Sequence, residues 1–425
     1  MSGEAIAGDA VHDRSVGVAS LRFTVFTTRN FVFMIAVLAM NFTLMRPSPV
    51  DLLFIMSFLM TLFLLAVSAT QAVSRRAVAL ALVVGTWAIS FIVASLPHIS
   101  EPNVPFELLA KSFAISIGVT GAFVSMTWGQ RHFERFMRVY IVSCVIASIL
   151  GTIGFVLQND ALTWDGRARG LIDDPNMYGS FLVPSVVFCL YFLFRPGRDK
   201  LMVMGALALV LLGIVLSFSR IAQVATMVCM VAYVVFQNRR RPKRLLLMVV
   251  GVVGLATLLL VIATLAPSEF SKKFLDRLTF AESYDLGEQG RYARYALVLP
   301  MIMQKPLGLG VLQLEKIFPE PIHNIWLSSF VNYGWVAGFT WITLVVSSVV
   351  VSIVNYRRTR NDIVVVLLIS LVGLVMCTSL HEGEHWRHLW LFFGLVWGLS
   401  TIHFEGRAGG ATAHQPLRRL APPAG

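Results

Sequence analysis

The chain has 425 residues, of which 56% are hydrophobic and 14% charged, and its mean hydropathy is +0.74. Several apolar runs reach the roughly 20 residues that a helix needs to cross a bilayer, which excludes a soluble domain. The formal net charge of +12 could indicate a nucleic-acid partner. The positive charge is concentrated in short connections between apolar runs, however, so we predict no nucleic-acid binding.

Twelve apolar segments predict about twelve transmembrane helices, and hence an all-α polytopic membrane protein. In chain order they cover about 31–46, 51–70, 77–97, 106–128, 139–157, 179–194, 201–217, 221–237, 246–266, 324–354, 363–380 and 389–403. Residues 1–30 lack a small-residue cleavage site and are predicted to remain as an N-terminal tail. The tail at 404–425 is rich in Gly, Ala and Pro, which predicts disorder.

Lysine and arginine cluster in every second connection between these segments. They are Arg75 and Arg76; Arg131, Arg135 and Arg138; Arg195, Arg198 and Lys200; Arg239, Arg240, Arg241, Lys243 and Arg244; and Arg357, Arg358 and Arg360. The positive-inside rule therefore places these connections and both termini in the cytoplasm. The connections at 47–50, 98–105, 158–178, 218–220, 267–323 and 381–388 are external and hold the clusters of Gly, Pro, Asn, His and Trp. We expect any chemistry on that face.

The connection at 267–323 is the long polar-rich segment of the chain. Connections of this length are usually functional or disordered, and we interpret this one as functional. Apolar residues at helical spacing in 271–280 and 291–304 predict two short helices that lie in the membrane interface. Pro306 and the two glycines after it are expected to end the second helix.

External arginines could bind an anion. Arg169 lies in a connection that contains Gly and Pro, and Arg220 lies in a turn so short that its guanidinium must sit at the membrane boundary. Arg291 and Arg294 are one helical turn apart and could face the same anion. Because guanidinium binds phosphate in bidentate geometry, Arg169, Arg220 and Arg291 could form a pyrophosphate site without a metal. An ordinary solvated loop for Arg169 and snorkelling of Arg220 to lipid phosphate are the alternatives.

His323 stands beside Asn324 where apolar sequence resumes after the long connection. A neutral imidazole there could take a proton from a sugar hydroxyl while an arginine cluster holds a leaving phosphate. The alternative is a histidine that is satisfied by hydrogen bonds at the start of a helix.

Residues 381–385 match the HExxH pattern, which on a helix places two histidines on one face to bind zinc. Gly383 interrupts the pattern and the segment is a predicted loop, so we predict no metal site. The four cysteines, Cys144, Cys189, Cys229 and Cys377, lie in apolar segments without CxxC or Cys/His spacing. They indicate neither disulfides nor a zinc ribbon.

The ordered set of external motifs resembles the bacterial O-antigen ligase and polysaccharide polymerase family. The matching residues are Arg169-Gly170, Asp174-Pro175-Asn176, Ser219-Arg220, Gly290-Arg291, Pro306-Leu307-Gly308-Leu309-Gly310, His323-Asn324 and Tyr333-Gly334. The resemblance covers about residues 150–400. The sequence departs from the family pattern after Gly334, where the next glycine is Gly338 instead of a Gly, Thr or Tyr at the third position.

The resemblance implies that residues 31–403 form one transmembrane glycosyltransferase domain of the bacterial inner membrane, with its active site facing the periplasm. Such an enzyme moves a glycan from undecaprenyl pyrophosphate to an acceptor hydroxyl, on a growing glycan or on lipid A core, without a metal or other cofactor. Arg169, Arg220 and Arg291 would hold the pyrophosphate, and His323 would orient or deprotonate the acceptor. Further candidates for orientation or glycan contact are Asn176, Arg294, Asn324, His385 and Arg387.

The choice between ligase and polymerase stays open at this point, because both would share the donor site. A polysaccharide or lipid-linked glycan transporter, or flippase, also fits twelve spans. The chain shows no paired Gly- or Pro-broken spans in its two halves, however, and its polar residues gather outside the membrane. An intramembrane zinc protease is a third possibility that rests only on the HExxH match.

Overall fold

The computed structural model describes residues 21, 23–44, 48–67, 74–244, 290–318 and 321–400, together with isolated helical positions between 246 and 261. Among these residues, eight helices are long and apolar enough to cross a membrane. The predicted all-α polytopic membrane architecture is therefore confirmed. The number of twelve spans and the cytoplasmic position of both termini stay predictions. The predicted span 246–266 lies mostly, and the predicted helix 271–280 entirely, outside the described residues.

The described helices of the first part of the chain are α1 (Phe23–Asn41), α2 (Pro49–Val67), α3 (Arg75–Ser95), α4 (Val104–Ser125), α5 (Gln130–Leu157), α6 (Pro175–Leu193), α7 (Lys200–Leu216) and α8 (Arg220–Asn238). Between α5 and α6, a small antiparallel hairpin pairs β1 (Thr163–Trp164) with β2 (Arg167–Ala168). This hairpin was not predicted, because two-residue strands leave no periodic signal in the sequence.

The later part of the chain contains α9 (Arg291–Gln304), α10 (Ile325–Thr359), α11 (Asp362–Thr378) and α12 (Arg387–Gly398). Helix α9 confirms the predicted helix at 291–304 with the same bounds. Each predicted span other than 246–266 overlaps a described helix, although α7, α11 and α12 are too short to count as spans by length alone.

Helix α12 lies at the centre of the bundle, with all of its residues buried. It packs against α3, α4, α10 and α11. The ring of Trp390 on this helix lies 5.4 Å from that of Trp87 on α3 and 6.1 Å from that of Trp341 on α10. Large aromatic side chains fill the core here, and their tilted and edge-to-face contacts hold the start of α12 in a fixed place.

Helix α10 is interrupted at Gly334, whose φ of 85° lies in the left-handed region. The interruption frees the carbonyls of Val331 and Asn332, which accept hydrogen bonds from the backbone N–H groups of Leu309 and Gly310 at 2.9 and 2.8 Å. The N–H of Trp335 donates in turn to the carbonyl of Pro306 at 2.9 Å. The Pro306–Gly310 motif therefore pairs with α10 where that helix is interrupted. This one contact accounts both for the motif and for Gly334.

Replacing Gly308 with alanine is expected to destabilise this junction strongly. Gly308 has a φ of +84°, and an added Cβ would lie 2.5 Å from the carbonyl oxygen of Asn332. The left-handed backbone alone costs about 1–3 kcal/mol for a residue with a side chain. Gly205→Ala is the matched control, because nothing lies within 4 Å of a Cβ at that helical position and alanine favours helix. Equal melting temperatures for the two variants in detergent would contradict the described contact.

Candidate active site

A polar cavity of about 360 Å³ lies at one end of the bundle. Its walls come from the first turns of α4, the hairpin, the start of α6, residues of 311–315 and 321–323, the first turns of α10 and the connection 381–386. All of these residues belong to the predicted external connections or to the adjoining helix turns. The structure thus gathers into one space the polar segments that the sequence separates by more than 200 positions.

Arg167 connects the hairpin, which forms one wall of the cavity, to the neighbouring segments. Its Nε donates to the carbonyl of Ser217 at 2.9 Å, and one terminal nitrogen donates to Oδ1 of Asn176 at 2.7 Å. Asp174 caps α6, because its Oδ1 accepts from the N–H groups of Asn176 and Met177. Asn176 is one of the predicted site residues, and it lines the cavity.

His323 lines the same cavity, and its ring lies 5.5 Å from the ring of His381. Its backbone has a left-handed φ of 51°, and its carbonyl accepts a hydrogen bond from the hydroxyl of Tyr295 at 3.5 Å. Asn324 caps α10, since its Oδ1 accepts from the N–H groups of Trp326 and Leu327 at 3.0 and 3.1 Å. Asn324 thus sets the direction in which the chain leaves His323.

The connection 381–386 packs against His323. One carboxyl oxygen of Glu382 accepts from the backbone N–H of Ile322 at 3.1 Å, directly before His323. Burial, and then the neighbouring carboxylate of Glu384, raise the pKa of Glu382 to about 8. The Glu382 carboxyl group therefore keeps its proton to a higher pH than an exposed glutamate does, and in the protonated form it can accept with one oxygen and donate with the other.

The base of the cavity holds a buried ion pair that sequence reasoning missed. The ammonium group of Lys111 on α4 lies 3.4 Å from the carboxylate of Glu384. The other oxygen of Glu384 accepts from the hydroxyl of Ser328 at 2.6 Å, and Ser328 accepts from the amide of Asn332 at 3.1 Å. A lysine inside an apolar predicted span was the signal that could have revealed this group, because such residues seldom occur without a function or a partner.

The arginines predicted to hold pyrophosphate lie outside this cavity as far as the structure describes them. Arg169 donates from its two terminal nitrogens to the backbone carbonyls of Asp173 and Asp160, at 3.1 and 3.2 Å. Arg220 is the first residue of α8. Arg291 is the first residue of α9, and its side chain is not among the described ones. The three arginines stay predicted site residues.

Two further predicted arginines are buried among protein groups. Arg294 is 2% exposed and donates to the carbonyl of Pro321 at 2.9 Å, so it joins α9 to the segment before His323. Arg387 lies at the start of α12 and contacts one carboxylate oxygen of Asp51 on α2 at 2.7 Å. These contacts give both side chains a structural role in the fold.

A second cavity of about 190 Å³ adjoins the first, and its walls are mainly apolar side chains of α2 and α4. Asp173 and His385 line both cavities. The second cavity also reaches the Asp51–Arg387 pair. His385, another predicted site residue, therefore stands where a polar space meets an apolar one.

The HExxH match at 381–385 lies in the turns between α11 and α12 and not on a helix. The spacing that places two histidines on one helical face therefore does not apply here. Within the part of the chain that the structure describes, no three His, Cys, Asp or Glu side chains are placed to hold a metal ion together.

Residues 205–342 match the family model described as O-antigen ligase. The matched range begins in α7 and ends in α10, and it includes Arg220, Arg291 and His323. The walls of the cavity that come from α4, the hairpin and the connection 381–386 lie outside the matched range. No curated protein matches the chain.

Proposed function

We propose that the chain is a member of the O-antigen ligase family, whose model matches residues 205–342, and that it moves a glycan from undecaprenyl pyrophosphate to an acceptor hydroxyl at the periplasmic face of the bacterial inner membrane. The family gives it a role in the assembly of O-antigen or a related polysaccharide, as an enzyme of the glycosyltransferase type. The donor, the membrane side and the absence of a metal are parts of the proposal. The observation that supports it best is that His323 lines a polar cavity beside an apolar one.

His323 is proposed as the general base. Its imidazole takes the proton of the acceptor hydroxyl, whose oxygen forms a new bond to the anomeric carbon of the donor glycan. The bond between that carbon and the phosphate oxygen breaks, and undecaprenyl pyrophosphate leaves with the bonding electrons. Glu382 supports this role indirectly, because its contact with the N–H of Ile322 holds the backbone next to His323.

The leaving pyrophosphate gains negative charge during this reaction, and cationic side chains stabilise such charge. From the resemblance we assign this role to Arg169, Arg220 and Arg291, which are not among the described lining residues of either cavity. The apolar cavity between α2 and α4 suits part of the polyprenyl chain, because its walls are mainly apolar. Asp173 and His385 line both cavities, so the lipid of the donor and the acceptor sugar can lie side by side.

The direct test uses purified protein and an undecaprenyl-pyrophosphate-linked oligosaccharide, with a chelator present. One reaction offers more of the same lipid-linked unit as acceptor, and another offers lipid A core. Products that lengthen on the lipid carrier would identify a polymerase, and transfer to lipid A core would identify a ligase. A lack of transfer in both reactions, with a reference enzyme active on the same substrates, would contradict the proposed function.

Arg220→Ala is expected to lower the turnover number for transfer about 10²–10³-fold, the usual loss when one group that stabilises the transition state is removed. Arg220→Lys should recover only part of this loss, because an ammonium group cannot bind phosphate in bidentate geometry. Arg198→Ala is the control, since Arg198 is exposed in the connection between α6 and α7. A native turnover number in Arg220→Ala would remove this arginine from the pyrophosphate site.

A further inference from the structure

The amide of Asn332, a residue that lines the polar cavity, has a buried hydrogen-bond acceptor without a partner among the described residues. The hydroxyl of Ser328 donates its single proton to Glu384, so it must accept from the amide nitrogen of Asn332. This fixes the orientation of the amide and turns its oxygen away from Ser328. Asn332 is only 8% exposed and lines the cavity, yet its Oδ1 has no hydrogen-bond partner among the described residues.

A buried amide oxygen normally accepts a hydrogen bond, because leaving it without one is unfavourable. A bound molecule that presents a hydroxyl or an ammonium group would supply the missing donor. The rest of the network is already satisfied, since Lys111 and Ser328 both contact Glu384. Asn332 therefore points to a ligand that is rich in donors, as a sugar is.

Carboxyl groups dominate the charge of the cavity. They belong to Glu107, Asp173, Asp174, Glu315, Glu382 and Glu384, whereas the described lining residues that can carry positive charge are Lys111, His323, His381 and His385. Lys111 lies 3.4 Å from Glu384 and 4.0 Å from Glu107, so carboxylates already surround its charge. Even with Glu382 protonated, an anionic ligand would meet like charges in a partly desolvated space, where repulsion is stronger than in water. An uncharged or cationic ligand would not meet this repulsion.

Trp164 provides a flat apolar surface at the edge of the same cavity. It lies on β1 of the hairpin, is 55% exposed and is one of the lining residues. An exposed indole can cover the apolar face of a sugar ring, which removes apolar surface from water. The hairpin is held in place by the bonds from Arg167 to Ser217 and Asn176, so the indole belongs to an ordered wall.

We propose that this cavity is a subsite for uncharged or amine-bearing sugars, in which Asn332 accepts a hydrogen bond from the sugar and Trp164 covers its ring. Acceptor sugars that carry carboxylate or phosphate groups are disfavoured there. The inference rests on the proposed glycosyl transfer and adds the class of sugar that is bound beside His323. The volume of about 360 Å³ lies within the range of small-molecule sites.

The test measures binding without any lipid-linked donor. Purified full-length protein is titrated with three β-1,4-linked trisaccharides, namely cellotriose, the corresponding glucosamine trimer and the corresponding glucuronate trimer. We expect the first two to bind and the glucuronate trimer to bind at least about tenfold more weakly at low salt, with a smaller difference at high salt because salt screens charge. Equal affinity for the three sugars would overturn the proposed selectivity.

Two variants test the residues. Asn332→Leu should weaken the binding of cellotriose at least about fivefold, which reflects the loss of one hydrogen bond to the sugar. Trp164→Ala should weaken it similarly, whereas Trp164→Phe should retain most of it. Trp164 is half-exposed on a hairpin, so its replacement tests the subsite even if Asn332→Leu does not fold. Native affinity in Trp164→Ala, or in a folded Asn332→Leu, would overturn the proposal.

The result of the sugar-binding test is independent of the result of the glycan-transfer assay. Transfer activity together with unselective binding would overturn the subsite and leave the proposed function standing. Selective binding that depends on Asn332 and Trp164, without transfer to either acceptor, would support the subsite and contradict the proposed function.

Discussion

The His323→Ala variant is expected to transfer glycan about 10²–10⁴-fold more slowly than the native protein, which is the usual contribution of a general base. The ring of His323 lines the polar cavity, and removing it leaves no imidazole at that position to accept the acceptor proton. The backbone should keep its place, because Asn324 caps α10 and Glu382 binds the N–H of Ile322. The turnover number with saturating donor and acceptor is the measurement.

Two control variants show whether a loss of turnover in His323→Ala comes from the loss of the base. His98→Ala should retain native turnover, because His98 is half-exposed, pairs with Glu101 and does not line the cavity. His323→Gln should remain slow although it preserves polarity and hydrogen bonding, since an amide cannot take up the proton. Native turnover in His323→Ala would remove the proposed base and shift attention to His381, whose ring lies 5.5 Å from that of His323.

The Arg387→Ala variant is expected to lose about 3–5 kcal/mol of stability, the usual result when one partner of a buried ion pair is removed. Arg387 and Asp51 are both buried, and Asp51 also accepts a hydrogen bond from the N–H of Ser48 at 2.8 Å. Without Arg387, the Asp51 carboxylate would be buried without its counter-charge. The shift in unfolding midpoint of the purified protein in detergent measures the loss.

The matched control is Arg138→Ala, which removes an ion pair to Asp199 at 3.1 Å that is about half-exposed on both sides. Exposed pairs contribute about 0–1 kcal/mol, so this variant should melt close to the native protein. The double variant Arg387→Met with Asp51→Leu should recover stability, because no unpaired charge remains. An Arg387→Ala protein that melts like Arg138→Ala but transfers glycan slowly would instead support the glycan contact predicted from sequence.

The sequence was sufficient to predict most of the described helices and the resemblance to the family whose model matches residues 205–342, because both depend on local patterns. A transmembrane helix satisfies its own backbone hydrogen bonds, so an apolar run of sufficient length predicts it without knowledge of its neighbours. Helix α9 has the bounds that the apolar spacing at 291–304 predicts. Asn324 is an N-cap residue, and an asparagine directly before an apolar segment predicts such a cap. The motifs around Arg220, Arg291 and His323 indicated the family that the match at 205–342 supports.

The composition of the candidate site, in contrast, was decided by tertiary structure. Lys111 meets Glu384 across 273 positions of the chain, and Arg387 meets Asp51 across 336. Such pairings depend on which helices become neighbours, and a single sequence carries no periodic signal for that choice. A charged residue near the end of a span can bind a substrate or another helix equally well by its chemistry, and only packing determines which of the two it contacts. For this reason three site residues predicted from the sequence, Asn176, His323 and His385, line the cavity, whereas the structure was needed to find Asn332, Lys111 and Trp164 beside them.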